Sequence, residues 1–310
     1  MKKYAYFPGC SLEKMALSYH DSALETTRAF GVELEELEDW NCCGATTYFH
    51  LDEILANTLV ARNLAIAEKQ GLDFVAPCSA CYKNAYFTNK YIKEDADLAE
   101  HINYALEADH LQLSGDLTVH HLIEVFVDEI GIEEIKNKVS NSLNELRVAP
   151  YYGCQIVRPR KNGENVEDPQ FFEELLTAMG ADAIDFAYKT RCCGGSLLIT
   201  NRHAALAMIR LLLQNALDSG ADVIATTCPL CQVNLECYQT QVNEAFGTHY
   251  SVPVLYFTQL LGLALGIPPK KLGFGKELIS ATPFLSNFHP VSRSNACICI
   301  HNTIARSTDT

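Results

Sequence analysis

The chain has 310 residues, 48% of them hydrophobic and 20% charged, with a formal net charge of −14. That length buries a core in each of two ordinary domains, and the acidic balance argues against a nucleic-acid partner, whose phosphates it would repel. The N-terminus, MKKYAYFPGC, lacks the apolar stretch of a secretory signal, so the thirteen cysteines read as free thiols of a reducing, cytoplasmic setting, suited to metal binding or catalysis rather than disulfides.

The elements fall in a regular order. YAYFPG (4–9) is a short apolar run of aromatic and small residues, read as a buried strand, and Cys10 follows it. Cys42-Cys43-Gly44 comes next, then a helix on which Val60, Leu64 and Ala67 share a face, stopped by Gly71. Asp73–Ala76 is a second strand, followed by Cys78-x-x-Cys81. The series then restarts. RVAPYYG (147–153) is a strand ending at Cys154, and Cys192-Cys193-Gly194-Gly195 follows. A helix carries Leu206, Ile209, Leu213 and Ala216 on one face and stops at Gly220, and the strand Asp222–Ala225 leads to Cys228-x-x-Cys231.

The cysteines define the repeat. Gaps of 31 and 34 residues separate Cys10, Cys42-Cys43 and Cys78 in the first series, and gaps of 37 and 34 separate Cys154, Cys192-Cys193 and Cys228 in the second. TVHHLIEVFVDEIGI (118–132) also matches PVLYFTQLLGLALGI (253–267), and both read as apolar helices. The run 252–267 is too short and too interrupted to span a bilayer comfortably, so no direct membrane insertion is expected. The fold class is therefore α/β: two similar Rossmann-like halves with parallel sheets, related by internal duplication. The expected domains are 1–145 and 146–285, with 286–310 a Ser- and Asn-rich tail, disordered or extraneous to the fold.

In such sheets, ligands sit outside the carboxyl ends of the strands. Cys10, Cys78, Cys154 and Cys228 all fall there. Zinc or a cubane cluster needs four ligands, whereas each half offers five. Adjacent cysteines diverge on an extended chain, which suits two irons of an opened cluster better than one ion. Gly44, Gly194 and Gly195 would let the backbone approach that core without a Cβ clash.

At these residues the chain resembles the cysteine-rich CCG domain family, and its two-copy arrangement over Tyr4 to about Gly266 is similar to that of heterodisulfide reductase B subunits. The resemblance implies two non-cubane [4Fe-4S] clusters. One would be held by Cys10, Cys42, Cys43, Cys78 and Cys81, the other by Cys154, Cys192, Cys193, Cys228 and Cys231. It implies an oxidoreductase acting on a disulfide substrate lying between the clusters, such as the mixed disulfide of coenzymes M and B, each cluster giving one electron and each released sulfur meeting an iron. It also implies two partners in a larger complex, one small and carrying iron–sulfur clusters (the C subunit of that family), the other containing flavin (its A subunit). The stretch Gly44-Ala45-Thr46-Thr47 departs from the Pro-rich form of the methanogen enzymes, so the resemblance carries the clusters further than the substrate. Two other readings stand: an electron-transfer iron–sulfur subunit with no disulfide substrate, and a zinc-stabilised binding module.

Other residues are ambiguous. Arg158, Arg160, Lys161 and Arg191 flank Cys154 and Cys192 and read either as an anion site or as charge compensation. Lys83, Asn84 and Asn234 either bond cluster sulfur or cap their helices. His120 and His121 read as packing residues on a helix, His50 and His203 as non-ligands, Cys237 as a packing residue, and Cys297 and Cys299 as part of the tail.

Overall fold

The computed structural model describes residues 2–45, 48–159 and 165–281. The tail 286–310 and the side chains of Arg160 and Lys161 lie outside them.

The first half runs β1 (Lys2–Tyr6), α1 (Gly9–Leu12), α2 (Leu17–Ala29), β2 (Val32–Glu36), α3 (Tyr48–Leu51), α4 (Glu53–Lys69), β3 (Phe74–Ala76), α5 (Ser79–Glu94), α6 (Ala96–Leu106), β4 (Val119–His121), α7 (Leu122–Glu124) and α8 (Ile132–Lys138). The second runs β5 (Arg147–Tyr151), α9 (Phe171–Ala178), β6 (Asp182–Ala183), α10 (Arg202–Asp218), β7 (Val223–Thr226), α11 (Pro229–Cys237), α12 (Gln239–Phe246), β8 (Val254–Tyr256) and α13 (Phe257–Ala264).

Each half is a four-stranded sheet of one topology, β2-β1-β3-β4 and β6-β5-β7-β8, and every pairing is parallel. Right-handed crossovers then put α2 on one face of the first sheet and α4 to α6 on the other, with α9 and α10 to α12 arranged likewise in the second. The central strands are buried on both faces, which explains their apolar sequences FVA and VIA, the latter followed by buried Thr226. The connections reverse direction between β1 and β3 and between β5 and β7, so the topological switch point of each sheet lies at the carboxyl ends of those strands.

The halves interlock. The inner helix of the first, α2, packs on α13 of the second, and α9 packs on α8. Tyr19 stacks on Tyr256 at 4.2 Å between ring centroids and donates to the Thr227 carbonyl at 3.1 Å. Ser22 meets Thr258 at 2.6 Å between hydroxyls. Phe257 lies near-perpendicular to Phe126 and to Phe172 in edge-to-face contact. All these residues have exposures near zero, so the seam is continuous with the hydrophobic core.

Two expectations need correction. Segments 118–132 and 253–267 are each a three-residue strand followed by a helix, rather than one helix; β4 and β8 complete the sheets. His120 and His121 accordingly sit on β4, where His121 caps α7 by accepting the Ile123 N–H at 3.2 Å. The strands β2 and β6 were not expected; both are edge strands, and β2 carries three glutamates.

Candidate functional site

The cysteine-bearing turns all leave the carboxyl ends of strands. Cys10 follows β1, the Cys42-Cys43 pair follows β2, and Cys78 is the residue just before α5. In the second half the same places hold Cys154, Cys192-Cys193 and Cys228. Cys81 and Cys231 lie on the first turn of α5 and α11.

The ten thiols form one ladder. Cys10 is the neighbour of Cys42, and Cys42 of Cys43. Cys43 lies 3.2 Å from Cys81 between sulfurs, and Cys81 neighbours Cys78. Cys78 reaches across the seam to Cys228. The second half repeats the series in reverse: Cys228 to Cys231, Cys231 to Cys193, Cys193 to Cys192 and Cys192 to Cys154. The five sequence-predicted thiols of each half are therefore brought together, and the two sets meet at Cys78 and Cys228. Among the described residues no three His, Cys, Asp or Glu side chains are grouped to hold a single ion.

Charge along the ladder is uneven. Hydrogen bonds from the Cys10 and Cys43 thiols and from the Gly44 N–H hold Cys42 down at about 2. Cys192 is held at about 2 in the same way, by Cys154, Cys193 and the Gly194 N–H, the last at 3.3 Å from its sulfur. Their neighbours move the other way: Cys43 is pushed up to about 11 by Cys42, and Cys193 to about 12 by Cys192. Cys228 is held well below its ordinary value by Cys231 and Cys78, helped by the N–H groups of Cys231 and Leu230 that open α11. Cys10 and Cys42 are exposed, Cys154 and Cys192 half-buried, and the other six buried.

Glycine and asparagine shape the turns. Gly9 and Gly153 have φ of +67° and +69°, and a Cβ on either would lie 3.3 Å from Cys81 Sγ or 3.0 Å from Cys231 Sγ. These two, rather than the glycines after the Cys pairs, give the backbone its approach to the thiols. The open side of Gly44 faces Tyr48, that of Gly194 faces Ala205 and Met208, and that of Gly195 faces Leu230. Asn84 donates to the carbonyls of Cys43 (3.2 Å) and Ala45 (2.9 Å). Asn234, three residues past Cys231 as Asn84 is past Cys81, donates to the Cys193 carbonyl at 3.4 Å and lies 3.5 Å from its sulfur. Both asparagines therefore clamp the adjacent pair.

The remaining candidates stand apart. His50 is exposed on α3, and His203 lies on α10 against Phe246. Cys237 is half-buried at the end of α11, its thiol raised by burial. Arg158 and Arg191 are exposed on the turns of Cys154 and Cys192. Sequence reasoning missed Lys189. Its buried ammonium is held by Glu173 (2.7 Å) and the Pro169 carbonyl (2.8 Å), while its own carbonyl accepts the N–H groups of Tyr152 and Gly153. It thereby fixes the turn before Cys154.

Comparison with known proteins agrees with this architecture. The model of the CCG cysteine-rich domain family matches residues 4–84 and again 148–236. The chain is 35% identical over 283 residues to the 8-methylmenaquinol:fumarate reductase membrane anchor subunit of Wolinella succinogenes, covering 91% of this chain and 98% of that one. It is 33% identical over 297 residues to the B subunit of the ferredoxin/F420H2-dependent CoB-CoM heterodisulfide reductase of Methanosarcina acetivorans, covering 94% and 99%. The B subunit of the ferredoxin:CoB-CoM heterodisulfide reductase of Methanosarcina mazei is 31% identical over 297 residues, with the same coverage. A crystal structure of a hypothetical protein from Helicobacter pylori shares the fold, with a TM-score of 0.72 at 15% identity over 90% of this chain and 52% of that one. Among the described residues no helix is long and apolar enough to cross a membrane. With two matched copies and full-length relatives above 30% identity, the chain belongs to the CCG cysteine-rich domain family, in the tandem form shared with the B subunits of heterodisulfide reductases.

Proposed function

We propose that this chain is the disulfide-reducing subunit of a multi-subunit oxidoreductase, with one non-cubane [4Fe-4S] cluster in each half. The carrying observation is the ladder of ten thiols, two equal sets of five that meet across the seam at Cys78 and Cys228. The donor set suits the group: thiolates are iron ligands, Gly9 and Gly153 leave room beside Cys81 and Cys231, and Asn84 and Asn234 hold the pairs in place. When bound, each cluster supplies one electron at a time and a Lewis-acidic iron.

The chain's own residues then set the geometry. The fixed seam holds the two sets at one separation. The less buried thiols, Cys10, Cys42, Cys154 and Cys192, mark the side from which a substrate enters. Reduction would follow RS–SR′ + 2e⁻ + 2H⁺ → RSH + R′SH, for which clusters held by the two thiol sets would supply the two electrons. The electrons come from partners, for which a small iron–sulfur protein and a flavin-containing protein of the same complex fit, in a reducing cytoplasmic compartment. One observation favours a second reading. The relative at 35% identity is named as a membrane anchor subunit of a fumarate reductase, so the same scaffold in this chain would pass electrons with no disulfide substrate.

The test is iron, acid-labile sulfide and zinc analysis of anaerobically purified protein, with electron paramagnetic resonance before and after thiol addition. About eight iron and eight sulfide per chain with a thiol-sensitive signal supports the first reading. The same iron with no response to thiols supports the second. Zinc without sulfide overturns both.

A further inference from the structure

The halves are duplicates, but at their junction one polar arrangement occurs only once. The first half reads Pro77-Cys78-Ser79 and the second Thr227-Cys228-Pro229. Proline stands at each corresponding place, so Ser79 and Thr227 are not copies of each other. The seam nevertheless brings them together, with 3.4 Å between their hydroxyl oxygens. Ser79 is 1% and Thr227 0% exposed, and Cys78 and Cys228 adjoin this contact in the chain.

His121, at the end of β4, fixes the direction of the hydrogens. Its Nδ1 accepts the Ile123 N–H at 3.2 Å, which keeps the lone pair there and puts the ring hydrogen on Nε2. Nε2 lies 3.5 Å from the Ser79 hydroxyl and therefore donates to it; neither hydroxyl can donate to that nitrogen. The bond between Ser79 and Thr227 uses one of their two hydroxyl hydrogens, and the other has no acceptor among the described residues. An unfilled donor at this depth is costly, so it marks a place where an acceptor belongs. The cap on α7 does not require a histidine. Tyr256 occupies the equivalent position in the second half. Its N–H is held by Gln259 at 3.0 Å, as that of His121 is held by Glu124 at 2.8 Å, and its hydroxyl donates to Gln232 instead.

We propose that the spare hydrogen of the Ser79–Thr227 pair is donated to a sulfur of one bound cluster, and that this single donor raises the reduction potential of that cluster above that of its duplicate. A hydrogen bond stabilises the extra negative charge of a reduced cluster, and one hydrogen serves one sulfur at a time. Ser79 and Thr227 set the potential, and His121 is a positioning residue that orients them. The assignment rests on the cluster reading above, and adds an inequality between two centres whose ligand sets are equal.

Anaerobic redox titration of the full chain, followed by electron paramagnetic resonance, tests it. The native chain should be reduced in two separate one-electron steps. Ser79→Ala and Thr227→Val should each lower the upper midpoint by about tenfold in the reduction equilibrium, about 59 mV for a one-electron couple, and leave the lower midpoint in place. Thr227→Ser keeps a hydroxyl and should keep the native value. His121→Asn retains an oxygen to cap the Ile123 N–H but loses the Nε2 donor, and should lower the upper midpoint by a smaller amount. It decides the matter if the other two variants fail to hold iron, and no shift there counts against the proposal. Ser22→Ala and Thr258→Val are the controls: they break another hydroxyl pair of the same seam, neither member of which adjoins a cysteine, and should leave both midpoints unchanged. A single shared midpoint in the native chain, unchanged midpoints in Ser79→Ala and Thr227→Val at full iron and sulfide, or equal shifts in the controls overturns the proposal. A native chain without iron and sulfide overturns the cluster reading itself, and this assignment with it.

Discussion

Gly153→Ala separates two costs that meet at the thiol site. The residue has φ of +69°, and a methyl there would lie 3.0 Å from Cys231 Sγ. An L side chain at positive φ costs about 1 kcal/mol. Forcing a methyl against Cys231, which is buried beside Cys193 and Cys228, adds about 1–3 kcal/mol. Gly247 supplies the control: its φ is +66° with nothing within 4 Å of the added methyl, so Gly247→Ala carries the backbone cost alone. At about 2–4 °C per kcal/mol, Gly247→Ala should lower the melting temperature by about 2–4 °C and Gly153→Ala by about 4–16 °C. Gly9→Ala, at 3.3 Å from Cys81 Sγ, should fall between them. Thermal unfolding followed by circular dichroism, on anaerobic samples of matched iron content, reads all three. If Gly153→Ala and Gly247→Ala melt together, Gly153 is required only for its backbone angle and the close approach to Cys231 is without consequence.

Replacing Cys42 and Cys43 together by Ala, or Cys192 and Cys193 together, should each remove about half of the bound iron, whereas Cys237→Ser should leave iron analysis unchanged. Asn84→Ala strips a donor from two carbonyls beside the adjacent pair and should cost about 1–3 kcal/mol in denaturant titration, with Asn234→Ala similar. Tyr19→Phe loses only the bond to the Thr227 carbonyl and should cost about 1 kcal/mol, while Tyr19→Ala empties the seam and should cost about 3–5 kcal/mol by the same titration. Asp222 is held below 3.8 by hydrogen bonds from Arg147. Its folded form binds a proton less readily than the unfolded chain, so its contribution is present above that value and fades as pH falls further. The melting-temperature gap between the native chain and Asp222→Asn should be constant from pH 7 to about 5 and narrow towards pH 3.

Much of the site was legible because its chemistry is local. Cys42-Cys43 and Cys78-x-x-Cys81 recur at matching places in both halves, and their strand-end positions follow from the apolar runs before them. What could not be read depends on packing. A three-residue strand buried on both faces, such as Val254–Tyr256, has no alternation to distinguish it from the helix that follows, so β4 and β8 merged with their helices. The edge strand Val32–Glu36 carries glutamates at alternate and end positions and lacks the apolar content expected of a strand. The meeting of Cys78 with Cys228 joins residues 150 apart in the chain, and it depends on the packing of the seam, where Tyr19 stacks on Tyr256. Lys189 carried no motif: a lysine becomes informative only once Glu173 and the Pro169 carbonyl are seen around it.

The interlocked seam bears on how the molecule moves. Because α2 of the first half lies on α13 of the second, and Tyr19, Ser22 and Thr258 sit there without access to water, separating the halves would mean opening a core rather than sliding a contact. Hinge closure over a bound molecule is therefore closed to this scaffold. Access has to be governed by the turns at the strand ends, and the span between the two thiol sets is fixed; on the proposed function it would act as a ruler, against which a substrate is measured before any electron is committed to it.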